Sequence, residues 1–389
     1  MQLLTFSTLF PNSERPGHGI FVETRLRHLV ASGKVTARVV APVPWFPFTH
    51  ERFGAYAGFA KVPERETRFG LPVEHPRYFL PPKVGMHIAP DMLAHAAKPC
   101  IARMIDEGYD FNLIDAHYFY PDGVAATKLG KYFNKPVVIT ARGSDITLLP
   151  QFTRPRKKIL QAASDASGII TVCNALKDEL MRLGVPAQKI VSLRNGVDLN
   201  LFQPIERDVA RQALGLTQFT LLTVGHLVPV KGHELILRAL ALLPEMRLLI
   251  AGDGMLRHTL ERMAIELKVA DRVQFLGALK QDKLRTYYGA ADAMVLASER
   301  EGWANVLLEA MACGTPVVAS KVWGTPEVVA APEAGVLMSE RTPEALAQAV
   351  RLLQDQYPDR AATRRYAENF SWEATTDGQL TLFNGIVHQ

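Results

Sequence analysis

The sequence predicts an α/β protein built from two doubly wound, mainly parallel sheets, and three observations support this fold class. The chain has 389 residues, which is long for one hydrophobic core and sufficient for two domains. Short apolar runs rich in Val, Ile, Leu and Thr alternate with longer helical patterns in both halves. These runs are continuously apolar, which is typical of parallel strands buried on both faces.

The predicted elements alternate in order along the chain. Five strands are predicted in the first half, for QLLTFS (2–7), TARVVAP (36–42), FNLIDAHY (111–118), KPVVITAR (135–142) and GIITVC (168–173). Five more are predicted in the second half, for FTLLTVG (219–225), RLLIAGDG (247–254), RVQFLG (272–277), AMVLAS (293–298) and TPVVAS (315–320). Helical patterns cover 20–32, 123–133, 174–183, 233–243, 256–268 and 343–354. This alternation predicts a doubly wound domain in each half.

The joint between the two domains is predicted near NGVDLNLFQPIERD. Asn195-Gly196 is a turn signal there, and Pro204 breaks any element that continues. We therefore expect a first domain at 1–200 and a second at 201–370. The tail, about 371–389, has a helical pattern without a strand, and its periodicity does not say where it packs.

Composition narrows the function classes. No apolar run approaches the roughly 18 residues of a membrane-spanning helix, and the N-terminus lacks the features of a signal peptide. Three scattered cysteines, without a CxxC pair, argue against a disulfide framework or a zinc site and favour a reducing cytoplasm. Residues 1–200 carry 25 Lys and Arg against 17 Asp and Glu, whereas residues 201–389 carry 19 against 22. The basic first half suits an anionic membrane or a phosphorylated substrate, although ordinary variation among solvated faces explains it equally well.

Ligands of open α/β sheets bind beyond the carboxyl ends of the strands, so the residues after each strand are the candidates. After the strand at 293–298, EREGWANVLLEAMACGTP places Glu301 in a loop and Glu309 about one turn into a helix. A carboxylate accepts two hydrogen bonds from a vicinal diol, so both positions suit ribose or sugar hydroxyls. Gly302 permits close backbone approach, and the helix start at Trp303, Asn305 and Val306 suits an anion.

Two further loops of the second half fit a diphosphate. In TVGHLVPVKGHE, Lys231 precedes a helix and can pair with a diphosphate, although a surface lysine beside a turn has the same pattern. In AGDG, Gly252 and Gly254 allow a tight turn near a ligand, but the third glycine of a dinucleotide fingerprint is missing. A nicotinamide-binding site is therefore disfavoured.

In the first half, Gly19 lies in the loop PNSERPGHGIF and either approaches phosphates or serves only the turn. His117 follows one strand, with Asp122 before the next helix, and Arg142 and Asp145 follow another strand. A lone histidine is more often structural than catalytic. The stretch LLPQFTRPRKKIL mixes basic and apolar residues, which suits anionic headgroups or a solvated helix start. Its basic residues are Arg154, Arg156, Lys157 and Lys158.

Together, SEREGWANVLLEAMACGTPVVAS, VGHLVPVKG, AGDG, RNGVD and DAHYFYPDG…PVVITARGSD resemble a family 4 retaining glycosyltransferase of the GT-B fold. The E-x7-E element with its flanks is highly specific, and the resemblance covers about residues 1–375. It implies two Rossmann-like domains facing a central cleft, with a C-terminal helix crossing back to the first domain. It also implies a nucleotide sugar held mainly by the second domain, and no metal or other cofactor.

The resemblance implies a role for each matching residue. Glu309 would hold the nucleotide ribose, Glu301 would lie beside the donor sugar, and Lys231 would neutralise the diphosphate. Gly19 would approach the diphosphate, and His117 would contact the donor sugar near the reacting carbon. The remaining matches would bind the donor, at Gly252, Gly254, Gly302, Trp303, Asn305 and Val306, or lie on the acceptor side, at Arg142, Asp145 and Asp122.

One position departs from the family pattern. The family usually has an arginine after the strand-end glycine, and this chain has His226. A histidine is mostly neutral at pH 7 and lacks the permanent charge and bidentate fork of arginine. Lys231 would then carry more of the leaving group's charge, and His226 would help if it is protonated in the complex.

The expected activity is transfer of a hexose from a UDP- or GDP-sugar to a glycan or lipid-linked acceptor, with retention, in exopolysaccharide or cell-envelope synthesis. The expected location is cytoplasmic, peripheral at the inner face of the membrane, without nucleic acid as a partner. Two other classes stay open, a nucleotide-sugar epimerase or phosphorylase and a non-catalytic nucleotide-sugar-binding subunit. The phosphorylase reading lacks its cofactor lysine, because no lysine follows Lys321.

Overall fold

The computed structural model describes residues 1–81 and 85–388, which divide into two compact units. The first unit contains Met1–Arg194 and the chain from Glu373 onward, and the second contains Asn195–Trp372. The division falls within the RNGVD stretch, at the Asn195-Gly196 turn signal, a few residues before the boundary expected at residue 200.

The first unit is built on a sheet in the order β10-β9-β8-β7-β1-β2-β5-β4, in which β4 and β5 are antiparallel and the other pairs are parallel. Two short strands, β3 and β6, form a separate parallel pair. The strands are β1 (Gln2–Phe6), β2 (Thr36–Val40), β3 (Val43–Pro44), β4 (Arg65–Arg68), β5 (Leu71–Glu74), β6 (Arg77–Tyr78), β7 (Leu113–His117), β8 (Val137–Ala141), β9 (Gly168–Thr171) and β10 (Ile190–Ser192).

Helices connect and cover this sheet. They are α1 (Ile20–Ala31), α2 (Ala55–Lys61), α3 (Gly85–Asp106), α4 (Val124–Phe133), α5 (Ser144–Thr147), α6 (Thr153–Asp165) and α7 (Asn174–Arg182). The two-sided apolar character of the strands is explained by their burial, since every residue of β7, β8 and β9 is buried.

The second unit is built on an all-parallel sheet in the order β13-β12-β11-β14-β15-β16. Its strands are β11 (Phe219–Val224), β12 (Met246–Ala251), β13 (Val273–Gly277), β14 (Ala293–Leu296), β15 (Val317–Ser320) and β16 (Gly335–Met338). Its helices are α8 (Arg207–Ala213), α9 (His233–Ala241), α10 (Arg257–Glu266), α11 (Gln281–Ala290), α12 (Asn305–Ala312), α13 (Thr325–Val328), α14 (Pro343–Asp355) and α15 (Arg360–Glu368).

The last helix, α16 (Trp372–Val387), packs on the first unit. Leu380 and Phe383 are buried in the same core as residues of β1 and β2. The buried side chain of Arg25 donates to Gln379 Oε1 at 3.0 Å and to the carbonyl oxygen of Leu193, also at 3.0 Å. The expected return of the C-terminal helix to the first domain is therefore confirmed, and the α/β fold class with it.

Several elements of the first unit were not predicted, among them α3 and the strands β4 and β5. The longest helix, α3, contains Pro90 and Pro99, which read as breaks in a sequence pattern. The β4–β5 hairpin adds an antiparallel edge to an otherwise parallel sheet. Within residues 1–81 and 85–388, none of the helices combines the length and apolar composition that crossing a membrane requires.

Candidate functional site

The strand order of the second unit reverses beside β11. The chain passes from β11 to β12 on one side and later returns to β14 on the other. Such a switch point opens a crevice at the carboxyl ends of the two strands, where ligands of open α/β sheets bind. The loops after β11 and β14 carry Lys231 and Glu301, so the sheet brings together two residues that are 70 positions apart.

Lys231 and Glu301 form an ion pair at this edge. Lys231 Nζ lies 2.5 Å from Glu301 Oε1, which also accepts a 2.7 Å hydrogen bond from the Ser298 hydroxyl. The side chains are 25% and 10% exposed, so the pair is accessible from the edge of the sheet. The Glu299 amide donates to the carbonyl oxygen of Val230 at 2.8 Å and so links the two loops through their backbones.

Glycines allow the strand-end loops to interlock. A Cβ at Gly252 (φ 147°) would lie 1.9 Å from the Gly225 carbonyl oxygen, and one at Gly232 (φ 70°) would lie 2.2 Å from that of Ala297. Gly254 packs on the backbone of Leu227 in the same way. These positions require glycine because the backbones of neighbouring loops lie too close together for a Cβ atom. The same close packing fixes the loop that carries Lys231.

Helix α12 begins at Asn305, four residues after Glu301, and Gly302 lies in the loop between them. Trp303 is buried, and the Asn305 amide donates to the Trp303 carbonyl oxygen at 3.1 Å, so not every amide here is left for an anion. Asn305 Oδ1 accepts from the side chain of Asn195 at 3.3 Å. Gly302 and Val306 are partly exposed at this helix start.

Glu309 lies on α12, and its carboxylate is held by a residue that the sequence analysis did not identify. The hydroxyl of Tyr288, on α11, donates to Glu309 Oε2 at 2.9 Å, and Tyr288 itself is fully buried. Burial raises the pKa of Glu309 to about 7, while hydrogen bonds from Tyr288 and Gln281 limit that rise. Near neutral pH this carboxyl group therefore lies close to its titration midpoint, although part of its surface remains exposed.

His226, the departure from the family pattern, is exposed after β11. Its carbonyl oxygen lies 3.2 Å from Nε2 of the buried His233, at the start of α9. Burial lowers the pKa of His233 to about 4, so this ring is neutral and donates through Nε2–H. His233 thus fixes the backbone of His226 and leaves the His226 side chain at the surface.

In the first unit, His117 is buried, and both ring nitrogens have protein partners. Nδ1 lies 2.6 Å from Arg142 Nη2, and Nε2 lies 3.1 Å from Asp115 Oδ2. Because arginine can only donate, Nδ1 accepts and Nε2–H donates to Asp115. Burial lowers the pKa of His117 to about 4, which keeps the ring neutral. Any contact of this ring with a sugar requires it to exchange one of these partners.

Asp122 and Asp145 are the two carboxylates expected on the acceptor side. Both are fully buried. Asp122 accepts from the Thr8 amide at 2.9 Å and from the Ser7 hydroxyl at 3.3 Å. Asp145 accepts from the amides of Phe119 at 2.8 Å and Gly143 at 2.7 Å. Their carboxylates tie strand-end loops together, and this burial argues against direct contact with an acceptor.

Gly19 has a structural reason of its own. It precedes α1 with a φ of 70°, and a Cβ there would lie 2.3 Å from the Leu9 carbonyl oxygen. On α6, Arg154, Arg156 and Lys157 are exposed, whereas Lys158 pairs with Asp91 at 3.0 Å. Among residues 1–81 and 85–388, no three His, Cys, Asp or Glu side chains are grouped so that they could hold a metal ion.

Both units of the chain match known protein families. Residues 17–201 match the family described as Glycosyltransferase Family 4, and residues 204–370 match the one described as Glycosyl transferases group 1. A D-inositol 3-phosphate glycosyltransferase of Mycobacteroides abscessus is 31% identical over 72% of this chain and 67% of its own length. The chain belongs to the family 4 glycosyltransferases.

Other relatives of this family 4 glycosyltransferase match different fractions of the chain. The D-inositol 3-phosphate glycosyltransferase of Mycolicibacterium smegmatis is 38% identical, but the match covers 51% of either chain. The chain thus spans about half the length of several curated relatives that it matches. The putative teichuronic acid biosynthesis glycosyltransferase TuaC of Bacillus subtilis is 28% identical over 90% of this chain and 88% of its own length.

Solved structures confirm the GT-B fold of this family 4 glycosyltransferase. A sucrose-phosphate synthase from Thermosynechococcus elongatus superposes with a TM-score of 0.79 at 23% identity, covering 99% of this chain and 98% of that one. HepE of Anabaena, solved in complex with UDP, superposes with a TM-score of 0.76 at 21% identity, covering 99% and 100%.

Proposed function

We propose that this chain transfers a hexose from a UDP- or GDP-sugar to a glycan or lipid-linked acceptor. The observation that carries the proposal is the Lys231–Glu301 pair at the switch point of the second unit. A lysine beside a carboxylate offers a cation for a diphosphate and an acceptor for sugar hydroxyls within one small area. Glu309, further along α12, adds an acceptor for ribose hydroxyls.

The proposed reaction breaks the bond between the sugar and the terminal phosphate of the donor. Negative charge then develops on the departing diphosphate, where preorganised cations and amides lower the barrier. We expect Lys231 to exchange Glu301 for phosphate oxygens when the donor binds, which leaves Glu301 free for the sugar. Retention would follow from attack on the same face, with the leaving phosphate accepting the acceptor's proton, and without a metal.

The acceptor side of the proposal rests on the first unit and on the relatives' names. Arg154, Arg156 and Lys157 form an exposed basic face on α6, within a first half of net basic charge. The printed name of TuaC places that relative in teichuronic acid biosynthesis, and two other relatives act, by name, on D-inositol 3-phosphate. We propose an acceptor of the cell envelope or an exopolysaccharide, met at the cytoplasmic face of the membrane.

A nucleotide panel tests the donor half first. A ligand that binds only the folded state raises the melting temperature by mass action. UDP, GDP and ADP are each added with Mg²⁺ and with EDTA, and we expect a shift with one nucleotide that EDTA does not abolish. The matching nucleotide sugar is then offered to envelope glycan acceptors, and the product's anomeric configuration is assigned by NMR. Absence of a shift with all three nucleotides would contradict the proposal.

A further inference from the structure

A group of large apolar side chains is exposed on the first unit, around the β3–β6 pair. Trp45 and Phe48 are each 53% exposed, Tyr56 49%, Phe79 57% and Met86 46%. We call these five residues the aromatic surface. Single exposed apolar residues are ordinary, but a cluster of large ones marks an interaction site.

The backbone of the β3–β6 pair holds the aromatic surface in place. Trp45 directly follows β3, and its amide donates to the Tyr78 carbonyl oxygen of β6 at 2.7 Å. Because Pro44 pairs with Tyr78, Trp45 and Phe79 follow the paired strands at neighbouring positions. Both side chains are therefore presented by paired backbone.

The rings of Phe46 and Phe53 support Phe48 and Tyr56 of the aromatic surface. The ring of Phe46 lies 5.9 Å from that of Phe48 and 5.4 Å from those of Phe53 and Tyr56. Phe48 also stacks on Phe53 with ring centres 5.2 Å apart. These separations are those of favourable aromatic pairs, so the exposed rings of Phe48 and Tyr56 rest on other rings.

Cations lie around the aromatic surface. The guanidinium of Arg52 lies 4.7 Å from the centre of the Phe53 ring, and both Arg52 and Lys61 are exposed. Lys158, in the middle of α6, donates to the carbonyl oxygen of His87, the residue after Met86, at 2.9 Å. The basic face of α6 therefore begins beside the Met86 end of the surface.

We propose that the aromatic surface docks on the headgroup region of an anionic lipid bilayer. Tryptophan, tyrosine and phenylalanine side chains favour the membrane interface, and flanking Lys and Arg side chains are attracted to anionic headgroups. A second copy of this chain is a poorer occupant, because a two-fold contact would bring the same cations together. The inference deepens the proposed function, since it names the surface on which a lipid-linked acceptor would be met.

Tryptophan fluorescence tests this docking directly. Trp45 is the most exposed of four tryptophans, since Trp303 and Trp372 are each 6% exposed and Trp323 is partly buried. The full chain is mixed with vesicles of phosphatidylcholine alone or with phosphatidylglycerol, including brominated lipids. We expect a blue shift and quenching by brominated lipid with the anionic vesicles, and Trp45→Phe should bind them without the blue shift.

Co-sedimentation with the same vesicles supplies the matched comparison. The triple variant Trp45→Ala, Phe48→Ala, Phe79→Ala should bind anionic vesicles at least about tenfold more weakly, because its interfacial apolar area is lost. The control variant replaces three exposed apolar residues of the second unit, Val209, Ile265 and Leu352, with alanine and should bind like the wild type. Both variants should keep the wild-type melting temperature and nucleotide shift.

Three results would overturn the proposal. They are equal binding to neutral and anionic vesicles, full binding by the triple variant, and absence of vesicle binding by the wild type. A dimer that the triple variant dissociates would assign the surface to a second copy instead. The proposed nucleotide site lies in the second unit and the aromatic surface in the first. A nucleotide shift without vesicle binding would therefore leave the proposed sugar transfer standing, and the two failures are distinguishable.

Discussion

The hydroxyl of Tyr288 offers the sharpest test of the nucleotide-binding role proposed for Glu309. Tyr288→Phe removes the donor 2.9 Å from Glu309 Oε2 and keeps the buried ring. Burial raises the pKa of Tyr288, so this hydroxyl remains a donor throughout the neutral range. Burial and the charge of Glu309 raise the pKa of Cys313, which directly follows α12, so its thiol stays neutral in the variant as in the wild type.

The size of the effect follows from the pKa of Glu309, which lies at about 7. A hydrogen bond to a charged acceptor contributes about 1.5–3 kcal/mol, and one pKa unit corresponds to about 1.4 kcal/mol. Losing the weaker end of that range raises the pKa by roughly one unit and lowers the ionised fraction at pH 7 from about one half to about one tenth. If ribose hydroxyls require the carboxylate, nucleotide affinity falls about fivefold at pH 7 and recovers near pH 9.

Isothermal titration with the nucleotide chosen by the thermal-shift panel measures this effect between pH 6 and 9. Tyr357→Phe is the control, because its hydroxyl donates to the carbonyl oxygen of Asp292 at 2.7 Å in the same unit but not to Glu309. We expect the affinity ratio of wild type to Tyr288→Phe to decrease as pH rises above 7. A ratio that is constant with pH, or equal to that of the control, would refute the reasoning.

Three further predictions concern other residues of the two units. Lys231→Ala and Glu301→Gln should each lower kcat/KM by about 100-fold, because each removes one electrostatic contact with the transition state. The melting temperature should stay that of the wild type, and near-wild-type rates would contradict the roles proposed for these two residues. If His226 is protonated in the complex, the activity of the wild type relative to His226→Arg should decline from pH 6 to 8, and a constant ratio would exclude this protonation. Burial raises the pKa of Asp122 to about 7, so the folded protein holds the proton of this carboxyl group more tightly than the unfolded chain does. The stability that this proton contributes is complete below the unfolded pKa of about 3.9 and is lost as pH rises through about 7. Asp122→Asn keeps an acceptor for the Thr8 amide, so its melting temperature should rise relative to that of the wild type between about pH 4 and 7. A difference in melting temperature that stays constant with pH would contradict the raised pKa of Asp122.

The regular part of the fold was predictable because strand burial leaves a direct mark on the sequence. All ten predicted strands occur, and strands such as β8 and β9, which are buried on both faces, are mainly apolar for that reason. Helix α3 was not predicted, because its two prolines interrupt the pattern on which sequence analysis depends. In the β4–β5 hairpin, β4 alternates exposed and partly buried residues, and in β5 the buried Leu71 and Val73 are separated by an exposed residue, which leaves no continuous apolar run to detect.

The candidate site was predictable where residues lie directly after strands. Glu301 and Lys231 are 70 positions apart, yet parallel strands bring their loops to one edge, and the pairing of β11 with β14 makes these loops neighbours. Tyr288 was not identified, because it lies inside α11 and reaches Glu309 through helix packing that leaves no local signal. Hydrogen-bond partners that are brought together only by helix packing cannot be identified from the sequence.

The same contrast explains why the first unit's polar residues were assigned contact roles that their burial argues against. A polar residue after a strand can face a ligand or bond the neighbouring loop, and the sequence is the same in both cases. Asp122 and Asp145 are fully buried and accept from backbone amides, and His117 is held between Asp115 and Arg142. Burying these groups is favourable only because each is hydrogen-bonded, and the bonds of Asp122 and Asp145 to backbone amides hold the strand-end loops together. Groups that remain accessible, such as Lys231 and the exposed His226, are therefore the better candidates for direct contact with substrate.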